Sequence, residues 1–274
     1  MAARPARPVP LSAYVLHRYE WSEASLILDV FTREQGRVAV AAKGARRPFS
    51  QLRSVLLPFQ RIHVSFGRPA GRDDVREVRE VETLRTAEWT GGHAMLTGAA
   101  LFSGFYLNEL LMKLLARHDP HVALFDAYAA TLAGLGAADE ATTQATLRAF
   151  ELVLLREVGL LPDLGVETAT RQPVRSDRRY LVLADAGVVE SRDDNAASAG
   201  GATLFALHAA LVAGDLAALQ QAARGALVEL RPLLRTQLHY HLGTSQLRTR
   251  QVMIEAQALD GRAPALDRRP RPAP

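Results

Sequence analysis

The sequence predicts an α+β protein in which a small five-stranded β-barrel is followed by a mostly α-helical domain with a small β-hairpin insertion. Two observations predict this order. Five short segments rich in β-branched and aromatic residues precede residue 88, and beyond it apolar residues recur at helical spacing. The chain has 274 residues, 48% hydrophobic and 23% charged, which is an ordinary globular composition with enough length for two modest domains.

The barrel prediction rests on composition and alternation. Strands are predicted at 13–20, 25–32, 37–43 and 61–66. The last is the clearest, because Ile62, Val64 and Phe66 alternate with polar residues. A polar loop ending in Gly36 suits a hairpin between the second and third strands. The fifth candidate, 75–84, is ambiguous, since its valines are spaced as in a helix but favour a strand by type. We predict a closed barrel of the OB type, with an SH3-like barrel as the rival.

The rest of the chain predicts helices around one interruption. Helices are expected at 94–116, 119–135, 139–158, 204–212, 215–224, 231–242 and 245–258. Asp119 and Pro120 form an N-cap and first-turn pair, and Gly159 and Gly243 are expected helix stops. Within 163–200, two short strands predict the hairpin. The predicted organisation is therefore a tail (1–11), a barrel (12–87), a helical domain (88–260) and a basic tail (261–274), with both tails disordered.

Positive charge is concentrated in the predicted barrel. From Arg33 to Arg72 there are nine basic residues and one acidic residue, Glu34, which gives a net charge of +8. Because the whole chain carries +4, the remaining residues sum to −4. A basic module joined to a mildly acidic one predicts a polyanionic partner for the barrel.

The sequence disfavours several classes of protein. It has no cysteine, so disulfides and thiolate metal sites cannot form, and no cofactor is expected. The first ten residues do not resemble a signal peptide, and the longest uncharged run, 89–108, is too polar and Gly-rich to predict a membrane span. Without a P-loop, G-x-S-x-G or H-E-x-x-H motif, we expect a cytoplasmic protein that is not an enzyme.

Short motifs are spread over residues 12–258, in both predicted domains. In the barrel they are YVLHR (14–18), EASLIL (23–28), FTREQG (31–36), AKGARRP (42–48) and LLPF (56–59). In the helical domain they are YLNELL (106–111), DPH (119–121), LFDAY (124–128), LRAFEL (147–152), GLLP (159–162), HLG (241–243) and LRTR (247–250). In this order and spacing, the motifs resemble those of the RecO family of bacterial DNA repair proteins. Their shared order and spacing make the resemblance specific.

The resemblance implies an OB fold followed by a helical domain, binding of single- and double-stranded DNA, and annealing of complementary strands. It also implies partnership with RecR and single-stranded DNA-binding protein, through which RecA is loaded during recombinational repair, in association with the nucleoid. Some members carry a cysteine zinc site after Gly159. Glu167, Thr168, Thr170 and Arg171 occupy that stretch here, so we predict no zinc and a hairpin held by packing alone.

The predicted DNA-binding residues are Arg37, Lys43, Arg46, Arg47, Phe49, Arg53 and Arg61. The cations that follow the third strand can neutralise phosphates and release counterions, and Gly44 and Pro48 keep that segment irregular, so that its backbone can approach a phosphate. Arg37, Arg53 and Arg61 are expected to extend the same surface. Phe49 is the preferred aromatic for stacking on a base, with Tyr19, Trp21, Phe59 and Phe66 as further candidates. Trp21 is alternatively a contact for a protein partner.

A second basic cluster and two other functions remain open. Arg248 and Arg250 lie near His239 and His241, and the cluster is either an ordinary helix surface or a contact for the acidic tail of single-stranded DNA-binding protein. Two histidines two residues apart do not share a helix face, so no metal site is expected there. The chain could alternatively be an RNA-binding OB-fold protein, or a protein–protein adaptor in which the barrel charge is incidental.

Overall fold

A closed five-stranded barrel forms the N-terminal part of the molecule. A computed structural model describes residues 9–67, 81–91, 95–136, 139–191, 197–243, 247–249, 251–252 and 255. The barrel consists of β1 (Leu11–Glu20), β2 (Leu26–Thr32), β3 (Gly36–Ala42), β4 (Arg61–Gly67) and β5 (Glu82–Trp89), with the short helix α1 (Leu52–Val55) between β3 and β4. The predicted OB-type barrel is confirmed. The predicted fifth strand is only partly testable, because residues 75–80 lie outside the described residues.

The strand pairing has the order β1-β2-β3-β5-β4, and β4 pairs with β1 to close the barrel. All pairs are antiparallel except β3 with β5, which is parallel. Alternate residues point inward, and the barrel core is built from Ala13, Val15, Leu28, Val30, Val38, Val40, Ile62, Val64 and Leu84. Leu52 and Val55 of α1 pack against this core, so the short helix covers part of the barrel interior.

The outward side of β1 and β2 is apolar as well, because the helical region covers it. Tyr14, Leu16 and Phe31 are buried in the hydrophobic core of the helical region. Tyr14 lies 5.3 Å from Phe125 and 5.1 Å from Tyr128, measured between ring centroids. Aromatic pairs at these separations are favourable beyond the area they bury. The outer face of β1 and β2 and the helical region therefore share a core that is distinct from the barrel interior.

The helical region contains α2 (Gly98–Leu114), α3 (Val122–Leu135), α4 (Glu140–Glu157), α5 (Gly201–Ala213), α6 (Leu216–Gly225) and α7 (Leu227–Leu242). Four predicted starts are wrong, since α2 begins at Gly98 and α5 at Gly201, and those of α3 and α7 are also displaced. Helix α3 begins after His121, since the Asp119 carboxylate lies 3.3 Å from the His121 ring instead of capping the helix. Helix α7 begins a turn earlier than predicted, which places Pro232 inside it. Most of the predicted helix 245–258 lies outside the described residues. No helix in the described part of the chain is long and apolar enough to span a membrane.

The predicted hairpin is present as β6 (Arg179–Leu183) and β7 (Gly187–Glu190), and a two-residue strand, β8 (Ala199–Gly200), pairs with β6. The expectation that packing alone holds it is wrong. Thr168 donates its backbone N–H to Val188 O at 2.8 Å and accepts from Val188 N at 2.9 Å through its hydroxyl. On the other side, Gln237 of α7 donates to Val182 O at 2.8 Å. Hydrogen bonds therefore tie the hairpin both to the preceding loop and to α7.

Candidate nucleic-acid interface

The segment that leads from β3 to α1, residues 43–53, carries four basic residues and no acidic residue. Gly44 has a φ of +72°, a left-handed conformation that glycine adopts without strain, and it turns the chain away from β3. Lys43, Arg47 and Arg53 are exposed and make no ion pair with any described residue. We call this segment the basic crossover. Its three unpaired cations are available to phosphates.

Arg46 differs from its neighbours, although it is also basic. Its guanidinium donates to Ser22 O at 3.0 Å and lies 3.2 Å from a carboxylate oxygen of Glu20. These contacts tie the basic crossover to the turn between β1 and β2. Arg46 is therefore already engaged within the protein, while Lys43 and Arg47 have no ion pair among the described residues.

Arg37 and Arg61 do not lie on the basic crossover, contrary to the expectation that they extend it. The Arg37 guanidinium donates to the carbonyl oxygen of Met112 in α2. Arg61 lies over the Phe125 ring of α3, 6.0 Å from its centroid. Both guanidinium groups therefore contact helices, and their cations serve the contact between the barrel and the helical region.

The contact between the barrel and the helical region also includes the hairpin between β2 and β3. Arg33 forms a two-pronged pair with Asp126 of α3, at 2.9 and 3.0 Å, and this pairing lowers the pKa of the Asp126 carboxyl. A Cβ on Gly36 would collide with the backbone of Asp119. Since the two ends of β3 are about 20 Å apart, the basic crossover lies at the barrel end remote from this contact.

The five aromatic candidates separate clearly by exposure. Phe49 on the basic crossover is 99% exposed, and Trp21 in the β1–β2 turn is 59% exposed. Tyr19, at 44%, is the third exposed ring. Phe59 is instead buried against Phe105, and Phe66 packs on the barrel core. Exposed rings beside unpaired cations suit single-stranded nucleic acid, which needs both phosphate neutralisation and surfaces for its bases.

A largely apolar pocket of about 420 Å³ opens between β1, α2 and the residues that follow α7. Its lining includes Leu16, Phe105 and Met112, together with the cations Lys113 and Arg248. The Glu109 carboxylate accepts from the backbone N–H groups of Arg248 and Thr249, both at 2.9 Å. Its negative charge is thereby used to hold the C-terminal segment in place.

The predicted C-terminal cluster is only partly visible, because Arg250 lies outside the described residues. His239 and His241 are at the end of α7, and Arg248 lines the pocket described above. Throughout the described ranges, no group of three or more histidine, aspartate or glutamate side chains is arranged to hold a metal ion.

Glu20 and Ser22 are the residues of this region that sequence reasoning does not single out. Their importance comes from their contact with Arg46, which is more than twenty residues away along the chain. The sequence signal is their position at the end of a strand and in the short turn after it, and that signal does not specify a partner.

The fold and this surface define a class of protein, in which an OB-type barrel with an exposed cationic and aromatic loop is joined to a helical domain. Comparison with known families identifies the particular one. The model described as Recombination protein O N terminal matches residues 8–87, and that described as Recombination protein O C terminal matches residues 95–251. The chain belongs to this RecO family, and the membership supports a role in DNA repair.

Individual relatives agree along nearly the whole chain. It is 52% identical over 250 residues to the DNA repair protein RecO of Polaromonas sp. (strain JS666), with 90% of this chain and 96% of that protein covered. It is 52% identical over 256 residues to the same-named protein of Variovorax paradoxus, with the same coverage. The protein of Acidovorax ebreus is 44% identical over 272 residues, with 94% and 100% covered.

Proposed function

We propose that this protein is a recombination mediator that binds single- and double-stranded DNA, anneals complementary strands and, together with RecR, assists the loading of RecA. The observation that carries the DNA-binding part is the basic crossover. There, Lys43, Arg47 and Arg53 are exposed, form no ion pair with any residue that the structure describes, and lie on the same segment as the exposed ring of Phe49. The partnership with RecR and the effect on RecA rest on membership of the family.

Annealing follows from the same charge. Two DNA strands repel each other through their phosphates, and a protein that neutralises phosphates lowers this repulsion. Binding and release are sufficient for such an action, and no covalent step is needed. The proposal therefore describes a protein that is not an enzyme and requires no cofactor.

We further propose single-stranded DNA-binding protein as a partner, held through its acidic tail at the apolar pocket. The pocket combines apolar walls with Lys113 and Arg248, while the nearby Glu109 carboxylate is neutralised in part by two backbone N–H groups. An acidic peptide with apolar residues would match this lining. Removal of the tail from the partner is expected to abolish its binding, and a Lys113→Glu variant of this protein is expected to weaken it. Equal binding of the tailless partner would contradict the assignment.

The proposed function is tested by annealing. Complementary oligonucleotides coated with single-stranded DNA-binding protein are mixed with this protein in EDTA, at low and moderate salt. We expect an acceleration that decreases as salt rises and that is reduced by Lys43→Gln, Arg47→Gln and Arg53→Gln together. Arg231→Gln with Arg235→Gln is the control, since these exposed cations lie on α7.

Two outcomes would overturn the proposal. Faster annealing of complementary RNA than of DNA would favour the RNA-binding alternative, in which the ribose 2′-hydroxyl is recognised. Absence of acceleration, even with RecR present, would favour an adaptor whose barrel charge has no role in nucleic-acid binding.

A further inference from the structure

The turn between β1 and β2 presents a tryptophan to solvent. The backbone N–H groups of Trp21 and Ser22 both donate to Ser25 O, at 3.3 and 3.4 Å, and Ser25 N donates back to Ser22 O at 3.4 Å. Three backbone hydrogen bonds thus close the turn, and 59% of Trp21 remains exposed. Tryptophan gains much from burial, so an exposed indole on a well-ordered turn contributes little to folding and is available to a ligand.

Hydrogen bonds join this turn to the basic crossover. Arg46 donates from its backbone N–H to Ala24 O and from its side chain to Ser22 O, both at 3.0 Å. Gly44 N donates to the Ser25 hydroxyl at 3.5 Å. Beyond Arg46, the backbone turns again, with Ser50 N donating to Arg47 O at 3.0 Å. Trp21 and Phe49 are consequently carried by two turns that are fastened to each other.

We infer that Trp21 and Phe49 together form a stacking platform for unpaired bases, which makes the barrel select single-stranded over double-stranded DNA. This inference rests on the proposed DNA-binding function and adds the source of strand selectivity to it. In a duplex, the faces of the bases are covered by their neighbours in the stack, and only phosphates are accessible to this surface. A single strand offers both phosphates and base faces, so it alone can use the two rings.

Arg46 has a different task from the cations beside it. Its side chain is held by Ser22 and Glu20, so it fixes the position of the tryptophan turn and does not neutralise a phosphate. It is a positioning residue for the platform. Lys43, Arg47 and Arg53 supply the charge that both kinds of DNA experience.

The composition of the chain allows Trp21 to be observed directly. Trp21 and Trp89 are its two tryptophans, and Trp89→Phe leaves Trp21 as the single reporter. Fluorescence is measured while this variant is titrated with oligo-dT or with a duplex of equal length at the same salt. We expect strong quenching by oligo-dT, since stacking on a base quenches an indole, and little quenching by the duplex.

Affinity measurements complete the test in the otherwise unchanged protein. Trp21→Ala and Phe49→Ala are each expected to lower the affinity for oligo-dT about tenfold, a value within the range known for one stacked base, while duplex affinity changes less than twofold. Arg46→Gln is expected to lower oligo-dT affinity without reducing its salt dependence. Arg46→Lys is expected to restore part of the affinity, because it can still pair with Glu20.

The outcomes distinguish this inference from the proposed function. If oligo-dT binds but Trp21 fluorescence does not respond, or if Trp21→Ala weakens single-stranded and duplex binding equally, the platform is refuted while the DNA-binding function stands. If neither DNA binds, both are refuted. Thermal unfolding of each variant shows whether it remains folded, and a change in the single-strand to duplex affinity ratio is an effect that general destabilisation would not produce.

Discussion

The salt dependence of DNA binding gives the sharpest test of the basic crossover. Replacing Lys43, Arg47 and Arg53 together with glutamine removes its three exposed cations without reversing any charge. Each phosphate neutralised on a single strand contributes about 0.7 to the slope of log affinity against log salt, so three contribute about 2. A slope of about 2 means that raising the salt from about 50 to about 200 mM lowers the affinity about 20-fold. The wild-type protein should show this additional loss of affinity, and the variant should not.

The measurement is a set of oligo-dT titrations followed by fluorescence anisotropy at four or more salt concentrations. Two controls match the perturbation. Arg46→Gln removes a neighbouring cation that is paired with Glu20, and Arg231→Gln with Arg235→Gln removes exposed cations on α7. We expect both controls to keep the wild-type slope. An unchanged slope in the triple variant, or an equal decrease in the α7 control, would show that the basic crossover does not contact phosphates.

Further predictions concern the contact between the barrel and the helical region. Asp126→Asn removes the pair with Arg33 and is expected to lower the free energy of unfolding by about 0.5 kcal/mol at neutral pH, since both side chains are partly exposed. The pKa of Asp126 is lowered in the folded state, so this contribution is complete above its ordinary value of 3.8 and is lost as pH falls through the lower folded value. The free energies of unfolding of wild type and variant, measured with urea, should therefore become equal in acid. A difference between them that grows in acid would contradict the stabilising role of the pair between Arg33 and Asp126. Tyr128→Phe removes the buried hydrogen bond to Asn108 and should cost about 1–2 kcal/mol in the same assay, whereas a neutral result would mean that the bond is not formed. Gly36→Ala should lower the melting temperature by several degrees, because its φ is +68° and a Cβ would meet Asp119; a stabilised variant would show that the contact is loose.

The barrel could be predicted well because its strands carry a period of two that burial imposes. Ile62 and Val64 alternate with exposed His63, and the pattern directly predicts β4. Strand β8 could not be predicted in this way, since it has two residues, Ala199 and Gly200, and no periodicity exists at that length. It is a strand only because β6 is present to pair with it.

At some helix boundaries, tertiary packing overrides the local sequence signals for the start of a helix. Pro232 ordinarily marks the start of a helix, because it lacks the backbone N–H that an interior position donates. Helix α7 nevertheless begins at Leu227, and Leu230, Leu233 and Leu234 are buried along one side of it. Burial of this apolar side offsets the loss of one hydrogen bond. By contrast, the predicted start of α4 near residue 139 agrees with the structure. Asp139 caps this helix and accepts from Thr142 N at 2.9 Å, and such a capping interaction depends only on neighbouring residues.

The sequence was sufficient to predict which segment forms the candidate site, but not which function each of its basic residues has. Arg46 and Arg47 are adjacent, identical in type and equally basic in the sequence. The fold pairs the first with Glu20 and leaves the second exposed, and this difference depends on how two distant turns meet. The same limit applies to Arg37 and Arg61, whose guanidinium groups contact Met112 and Phe125 of distant helices.

The shared core described for the two halves has a consequence for how this chain can fold and evolve. Tyr14, Leu16 and Phe31 belong to strands of the barrel, but the side chains that bury them come from helices more than sixty residues later. A barrel synthesised alone would display these rings and methyl groups to water and would tend to associate with other chains. Separate family models match the two halves. A half exchanged between relatives would nevertheless fold correctly only if the surface that it contacts on the other half were exchanged as well.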